Sequence, residues 1–233
     1  MSPQFALVGS GEFLPVMAPV DSVLLDGRHQ SVAVIPTASA QDGERTFQKW
    51  ITMAHSHFRK MGVEVRPIEV RDRDEANGFR DLHAIKSAGF IYLSGGNPGY
   101  LAASLRDTPV WEAVAEAVAN GAAIAGCSAG AMAMGALAPV VREPRAEMGP
   151  GIAMIGHIAV IPHFDKIRGW VPGIVENYLH SSPEGVVVVG IDEDTALVGG
   201  PHEWTVMGHR HVHLIHSMDE VEVFGPGEVV SFD

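Results

Sequence analysis

Short apolar runs alternate with longer amphipathic segments through most of the chain, a pattern that predicts a mostly parallel sheet covered by helices. The runs FALVG (5–9), SVAVIP (31–36), VEVRPIEV (63–70), GFIYLS (89–94), AAIAG (122–126), HIAVI (157–161) and GVVVVGI (185–191) are expected as strands. Between them, GERTFQKWITMAHSHFRKMG (43–62) and PVWEAVAEAVANG (109–121) read most clearly as helices. The second ends on a glycine, where a helix C-terminus favours one. After about residue 195 the texture changes to short alternating pieces, TALVGG, EWTVMG, HVHLIH, VEVFG and GEVVSF. These predict an antiparallel β appendage on the end of the sheet. Residues 139–156, rich in proline, glycine and charge, are expected as a long loop near the functional face. The fold class is therefore α/β, a three-layer mostly parallel sheet flanked by helices. Residues 1–233 are expected to form a single domain, with 196–233 as a β-rich C-terminal extension.

A chain of 233 residues is long enough for one large core. Its formal net charge of −12 argues against nucleic acid as a partner, because phosphate binding needs a basic face. A single cysteine excludes an internal disulfide framework and a cysteine-based zinc site. The opening MSPQFALVGSGEF has no basic n-region and only a short apolar run, so it does not read as a signal peptide. No apolar stretch reaches the roughly 18 residues of a membrane span. A cytoplasmic protein, monomeric or homodimeric, is the expectation.

The only cysteine lies beside a serine in GCSAG (126–130), which fits G-x-S-x-G with Ser128 at the centre. A strand precedes it and a helix-forming segment follows, the setting of a nucleophile elbow. The sharp turn pushes one side chain into the open, and the first N–H groups of the next helix face a developing oxyanion. Cys127, one position off the apex, is expected to turn inward as packing. A serine needs a base, and twelve histidines compete. Sites in open parallel sheets form beyond the carboxyl ends of the strands. His163 follows the strand 157–161 at that end, whereas His157 opens the same strand, and His55 and His57 fall inside a helix. The histidine in turn needs an orienting acid. Asp192, Glu193 and Asp194 follow the strand 185–191, and spacing alone does not choose among them. YLSGGNPGYL adds Gly95 and Gly96, which let backbone N–H groups approach a ligand, although a plain tight turn explains them as well. The order Ser, His, acid differs from the Ser, acid, His of α/β-hydrolases. His209, His211 and His213 alternate, so a strand through them would place three imidazoles on one face. An exposed edge strand is the preferred reading of the pattern, and no metal site is assigned.

These residues resemble the serine peptidases that include dipeptidase E, an aspartyl dipeptidase, and cyanophycinase. Their fold is similar to that of class I glutamine amidotransferases (flavodoxin-like), with serine in place of cysteine. GGN (95–97), GCSAGAM (126–132), PHF (162–164) and GIDEDTA (190–196) carry the resemblance, with IPTAS (35–39) a weaker match. It implies Ser128 as nucleophile, His163 as general base and acid, and Glu193 as the triad acid. Backbone N–H groups of Gly96 and Ala129 would form the oxyanion hole. Asn97 and Arg168 would contact substrate, with Arg142 and Arg145 behind Arg168. The implied activity is hydrolysis of small peptides, acidic ones among them, without cofactor or metal. An esterase or amidase with the same triad, and a non-catalytic binding protein of the same fold, are the alternatives. The chain departs from cyanophycinase at Pro98, where that enzyme carries glutamine, and in HFDKIRG, where it is arginine-rich.

Overall fold

The computed structural model describes residues 4–142 and 145–232, with backbone alone at 141, 142, 145, 146 and 168. In chain order, β1 (Phe5–Val8), α1 (Ala18–Leu25), β2 (Ser31–Ile35), α2 (Glu44–Lys60) and β3 (Glu64–Pro67) come first. Next are α3 (Arg73–Gly78), α4 (Leu82–Lys86), β4 (Phe90–Leu93), α5 (Pro98–Leu105), α6 (Pro109–Ala119), β5 (Ala123–Cys127) and α7 (Ala129–Met134). Then follow β6 (Leu137–Arg142), β7 (Arg145–Pro150), β8 (Ile158–Pro162), α8 (Phe164–Trp170), α9 (Ile174–Ser181) and β9 (Val187–Ile191). The last elements are β10 (Thr195–Gly199), β11 (Glu203–Gly208), β12 (Val212–Ile215), β13 (Val221–Phe224) and β14 (Val229–Ser231).

The large sheet runs β14-β11-β10-β1-β5-β4-β2-β3, parallel from β1 to β3 and antiparallel on the other side of β1. Its parallel strands are buried on both faces, as a sheet covered by helices requires. In β4, Ile91 and Leu93 pack with α3–α7 while Phe90 and Tyr92 pack with α1 and α2. Strand period sets that division, because successive side chains point to opposite faces. The helix α2 shows the complementary pattern, burying Phe47, Ile51, Ala54 and Phe58 along one stripe. Phe47, Ile51 and Phe58 each contribute roughly 1.5–3 kcal/mol by leaving water, and Ala54 less.

The strands expected at 157–161 and 185–191 form, but not in that sheet. They are β8 and β9, a parallel pair in a second sheet of order β13-β12-β9-β8. The C-terminal appendage is divided accordingly. β10, β11 and β14 extend the large sheet beyond β1, whereas β12 pairs onto β9 and β13 onto β12. The two sheets share a core, since Val189, Ile191 and Val212 pack in one cluster with Leu7 and Ile124. The long loop expected over 139–156 is corrected to a hairpin, β6 paired antiparallel with β7 from Leu137↔Pro150 to Arg142↔Arg145. Proline and glycine there sit in a ladder rather than a coil, and Gly99 of α5 allows the close approach. A Cβ on Gly99 would stand 2.8 Å from the Pro139 carbonyl.

Candidate active site

β1, β4, β5, β8 and β9 all end toward the same region, and the candidate residues follow those ends. β5 stops at Cys127, and Ser128 takes φ 50°, ψ −109° before α7 begins at Ala129. Such a conformation costs a non-glycine residue on the order of 1–3 kcal/mol and is held by its surroundings. The flanking glycines are sterically required. A Cβ on Gly126 would lie 2.4 Å from the Gly130 carbonyl carbon, and one on Gly130 would lie 2.3 Å from the Leu93 oxygen. The Ser128 N–H donates to Val8 O at 2.9 Å, fixing the elbow to β1.

His163 follows β8 in the left-handed region, with φ 49° and ψ 38°, and caps α8. Its Nε2 lies 3.1 Å from Ser128 Oγ and its Nδ1 lies 3.2 Å from Glu193 Oε1. These bonds assign the ring proton to Nδ1, which donates to the carboxylate, and leave Nε2 to accept from the hydroxyl. All three side chains are partly exposed, so a substrate can reach them.

The acidic turn divides its labour. Asp192 is buried and faces β12, 3.0 Å from His213 Nε2 and accepting the His211 N–H at 3.2 Å. Asp194 donates its N–H to Ser10 Oγ at 3.2 Å. Of the three, Glu193 is the one bonded to His163. Its own N–H donates to Asp165 Oδ1 at 3.0 Å, and the other Asp165 oxygen accepts from Arg210. Asp165 and Arg210 do not stand out in the sequence; they meet because the first turn of α8 and the β11–β12 turn that carries Arg210 come together beside Glu193. Position Asp165, two residues past His163, was the available signal.

Gly96 has φ +143°, and a Cβ there would stand 2.3 Å from Ala38 O. Both facts demand glycine. Its N–H has no partner among the described residues, and Ala129, first in α7, has no intrahelical acceptor for its N–H. Asn97 caps α5, its Oδ1 accepting the Tyr100 N–H at 3.0 Å, and its Nδ2 donates to Gln41 at 3.1 Å. Pro98 then takes the first helical position, where its missing N–H is no loss. The side chains of Arg168, Arg142 and Arg145 lie outside the described residues. Trp170, 62% exposed, has its ring centred 5.9 Å from the His163 ring.

Cys127 is fully buried, and burial first, then the Glu12 carboxyl, push its pKa well up. It is a protonated thiol. His157 sits at the far end of β8, 2.9 Å from Pro201 O, and His57 is buried against Asp21 at 2.7 Å. The strand through the alternating histidines covers only Val212–Ile215, so His213 alone lies in it and His209 and His211 precede it. No group of three or more His, Cys, Asp or Glu is arranged to hold a metal ion among the described residues. A groove of about 630 Å³ lined by Val186, Val187, Leu214, Ile215 and Phe232 opens at the N-terminal end of β9, away from these groups.

An elbow serine at the carboxyl edge of a mostly parallel sheet, hydrogen-bonded through histidine to a carboxylate, is the geometry of serine hydrolases as a class. The chain belongs to peptidase family S51, whose family model matches residues 6–206. A crystal structure of a peptidase from an acI-B1 actinobacterium is similar with TM-score 0.89 and 34% identity, covering 100% of this chain and 98% of that one. A putative peptidase E protein from Listeria monocytogenes shares the fold, with TM-score 0.58 and 16% identity over 95% of this chain and 98% of the other. The cyanophycinase of Trichormus variabilis is 28% identical over 168 residues, 68% of this chain and 55% of that protein. The cyanophycinase of Geminocystis herdmanii is 27% identical over 202 residues, 81% of this chain and 70% of that protein. The chain thus spans about half the length of the first of these relatives. No helix among the described residues is long and apolar enough to cross a membrane.

Proposed function

We propose that the chain is a serine peptidase that cleaves short peptides through an acyl-enzyme, with Ser128 as nucleophile, His163 as base and acid, and Glu193 as the orienting carboxylate. The observation that carries this reading is the pair of hydrogen bonds in series, 3.1 Å from Ser128 to His163 and 3.2 Å from His163 to Glu193. Neutral Nε2 takes the Ser128 proton as Oγ attacks the scissile carbonyl. Glu193 stabilises the imidazolium that forms and keeps the proton on Nδ1. The free N–H groups of Gly96 and Ala129 receive the oxyanion, and His163 then returns its proton to the leaving amine. Water attacks the acyl-enzyme by the same route. Trp170 beside His163 supplies an apolar wall at the mouth. Asn97, with one Nδ2 hydrogen unpartnered among the described residues, and Arg168 are proposed to contact substrate. A preference for acidic peptides follows from the family resemblance and from Arg168.

A dipeptide-library digest read by mass spectrometry, with Ser128→Ala as control and fluorophosphonate labelling alongside, tests the reading. Cleavage and labelling that both vanish in the control are expected. Ester hydrolysis without cleavage of any peptide would make the chain an esterase, and absence of labelling would remove the hydrolase reading. A wild-type preference for Asn over Asp peptides would remove acidic specificity.

A further inference from the structure

A carboxyl group that the proposed triad does not use lies directly beneath it. Glu12 follows β1 in GSGEF and is 7% exposed. Its two oxygens are taken by different donors. Oε1 accepts the Gly95 N–H at 3.0 Å, and Oε2 accepts the Cys127 thiol at 2.9 Å. Gly95 directly precedes the proposed oxyanion donor Gly96, and Cys127 directly precedes the proposed nucleophile Ser128. One buried side chain therefore ties together the ends of β4 and β5 that carry the two reacting partners. The fit is close. A Cβ on Gly95 would stand 2.8 Å from Glu12 Oε1 and 3.6 Å from Ser128 Cβ.

Beyond Gly96 the chain is pinned again, because the Asn97 N–H donates to Ala38 O at 2.7 Å. The peptide carrying the Gly96 N–H thus lies between two peptides whose own N–H groups are committed. Preorganised donors stabilise developing charge because they need no reorientation during the reaction. Fixing the Gly95 peptide is therefore a catalytic matter as well as a structural one. Cys127 does not compete as a nucleophile, since burial and the neighbouring Glu12 keep its thiol protonated.

We propose that Glu12 is a positioning residue that aims the Gly96 N–H at the oxyanion by holding the Gly95 peptide, with the Cys127 thiol anchoring its second oxygen. This inference rests on the reading of Ser128 as the nucleophile. Without the carboxyl, the buried Gly95 N–H has no acceptor, and the peptide is free to rotate toward one.

The test compares wild type, Glu12→Ala, Glu12→Gln and Glu12→Asp in kcat, KM and fluorophosphonate labelling rate, with thermal melts to establish folding. Glu12→Ala should lose about 10²- to 10³-fold in kcat, the effect of losing an oxyanion donor, while KM stays within about threefold. Glu12→Gln should recover to within about tenfold of wild type, because its amide oxygen still accepts from Gly95. Should Glu12→Ala not fold, Asp against Gln decides. Aspartate is one methylene short, and a displacement of about 1 Å should leave it at least tenfold slower than Gln. A folded Glu12→Ala with kcat near wild type, a loss carried by KM, or Gln as slow as Ala or Asp would each overturn the proposal. A wild type that neither labels nor turns over would sink the function reading and this inference together. An active, labelled wild type with an indifferent Glu12→Ala would overturn this inference alone.

Discussion

Ser128 Oγ lies 3.1 Å from His163 Nε2, although thirty-five positions separate the two residues in the chain. Only Ser128, not the adjacent Cys127, is within reach of that ring. Ser128→Ala is therefore expected to abolish turnover and fluorophosphonate labelling. Cys127→Ala should still label and turn over, slowed by no more than about tenfold through its contact with Glu12. Activity-based labelling followed by gel fluorescence checks both, and retained turnover in Ser128→Ala would sink the assignment.

Glu193 is held through its backbone N–H as well as through its contact with His163. Glu193→Gln keeps the shape but cannot stabilise an imidazolium, so kcat should fall by about 10²- to 10⁴-fold at nearly constant KM. Asp165 accepts the Glu193 N–H, and Arg210 holds Asp165. The Arg210 side chain is 44% exposed, where an ion pair contributes only about 0–1 kcal/mol. Asp165→Ala should accordingly cost more, about tenfold in kcat, than Arg210→Ala, about two- to fourfold. Steady-state kinetics of the three variants will show the order, and an Arg210 effect exceeding that of Asp165 would contradict it.

Gly130 cannot carry a side chain without moving β4, because a Cβ there would meet the Leu93 oxygen at 2.3 Å. Gly130→Ala should destabilise the fold by about 2–4 kcal/mol and disturb the elbow. Urea unfolding measures the first and labelling rate the second. A variant as stable as wild type would show that α7 can shift freely against the sheet.

Cys127 makes stability fall at alkaline pH. Its folded-state pKa is held well above the usual value, by burial first and then by Glu12, with Asp21 also contributing. In the unfolded chain the thiol titrates near about 8.5. Below that pH both states keep the proton and the contribution is intact. As pH rises beyond it, the unfolded state alone loses the proton, so stability drops by about 1.4 kcal/mol per pH unit. Buried Tyr92 and Tyr178 are raised in the same direction, but their unfolded forms titrate only near about 10. Urea unfolding of wild type and Cys127→Ala between pH 8 and 10 should therefore show a steeper decline in wild type. Parallel curves would mean that the thiol titrates normally.

Local periodicity determined much of this protein in advance. SVAVIP became Ser31–Ile35 and PVWEAVAEAVANG became Pro109–Ala119, because side-chain alternation and helical spacing are properties of a few neighbouring residues. The elbow at Ser128 was legible for the same reason, since Gly126, Ser128 and Gly130 are adjacent and the steric demand is local. Strand pairing was not legible. Nothing in HIAVI or GVVVVGI says that they pair with each other, or that GVVVVGI pairs on its other side with Val212–Ile215, because edge choice is set by hydrogen-bond partners far apart in the chain. The hairpin Leu137–Pro150 escaped for a related reason: its proline and glycine read as coil, and only its ladder and its packing on α5 make it strand. Spacing left Glu193 and Asp192 level and only the family resemblance favoured Glu193; the tertiary structure gives the physical difference, with Asp192 turned under His213 and Glu193 facing His163. It also brought Glu12 to Cys127, across 115 positions, where burial strips a carboxyl of most of its water and obliges it to take the Gly95 N–H and the Cys127 thiol as donors.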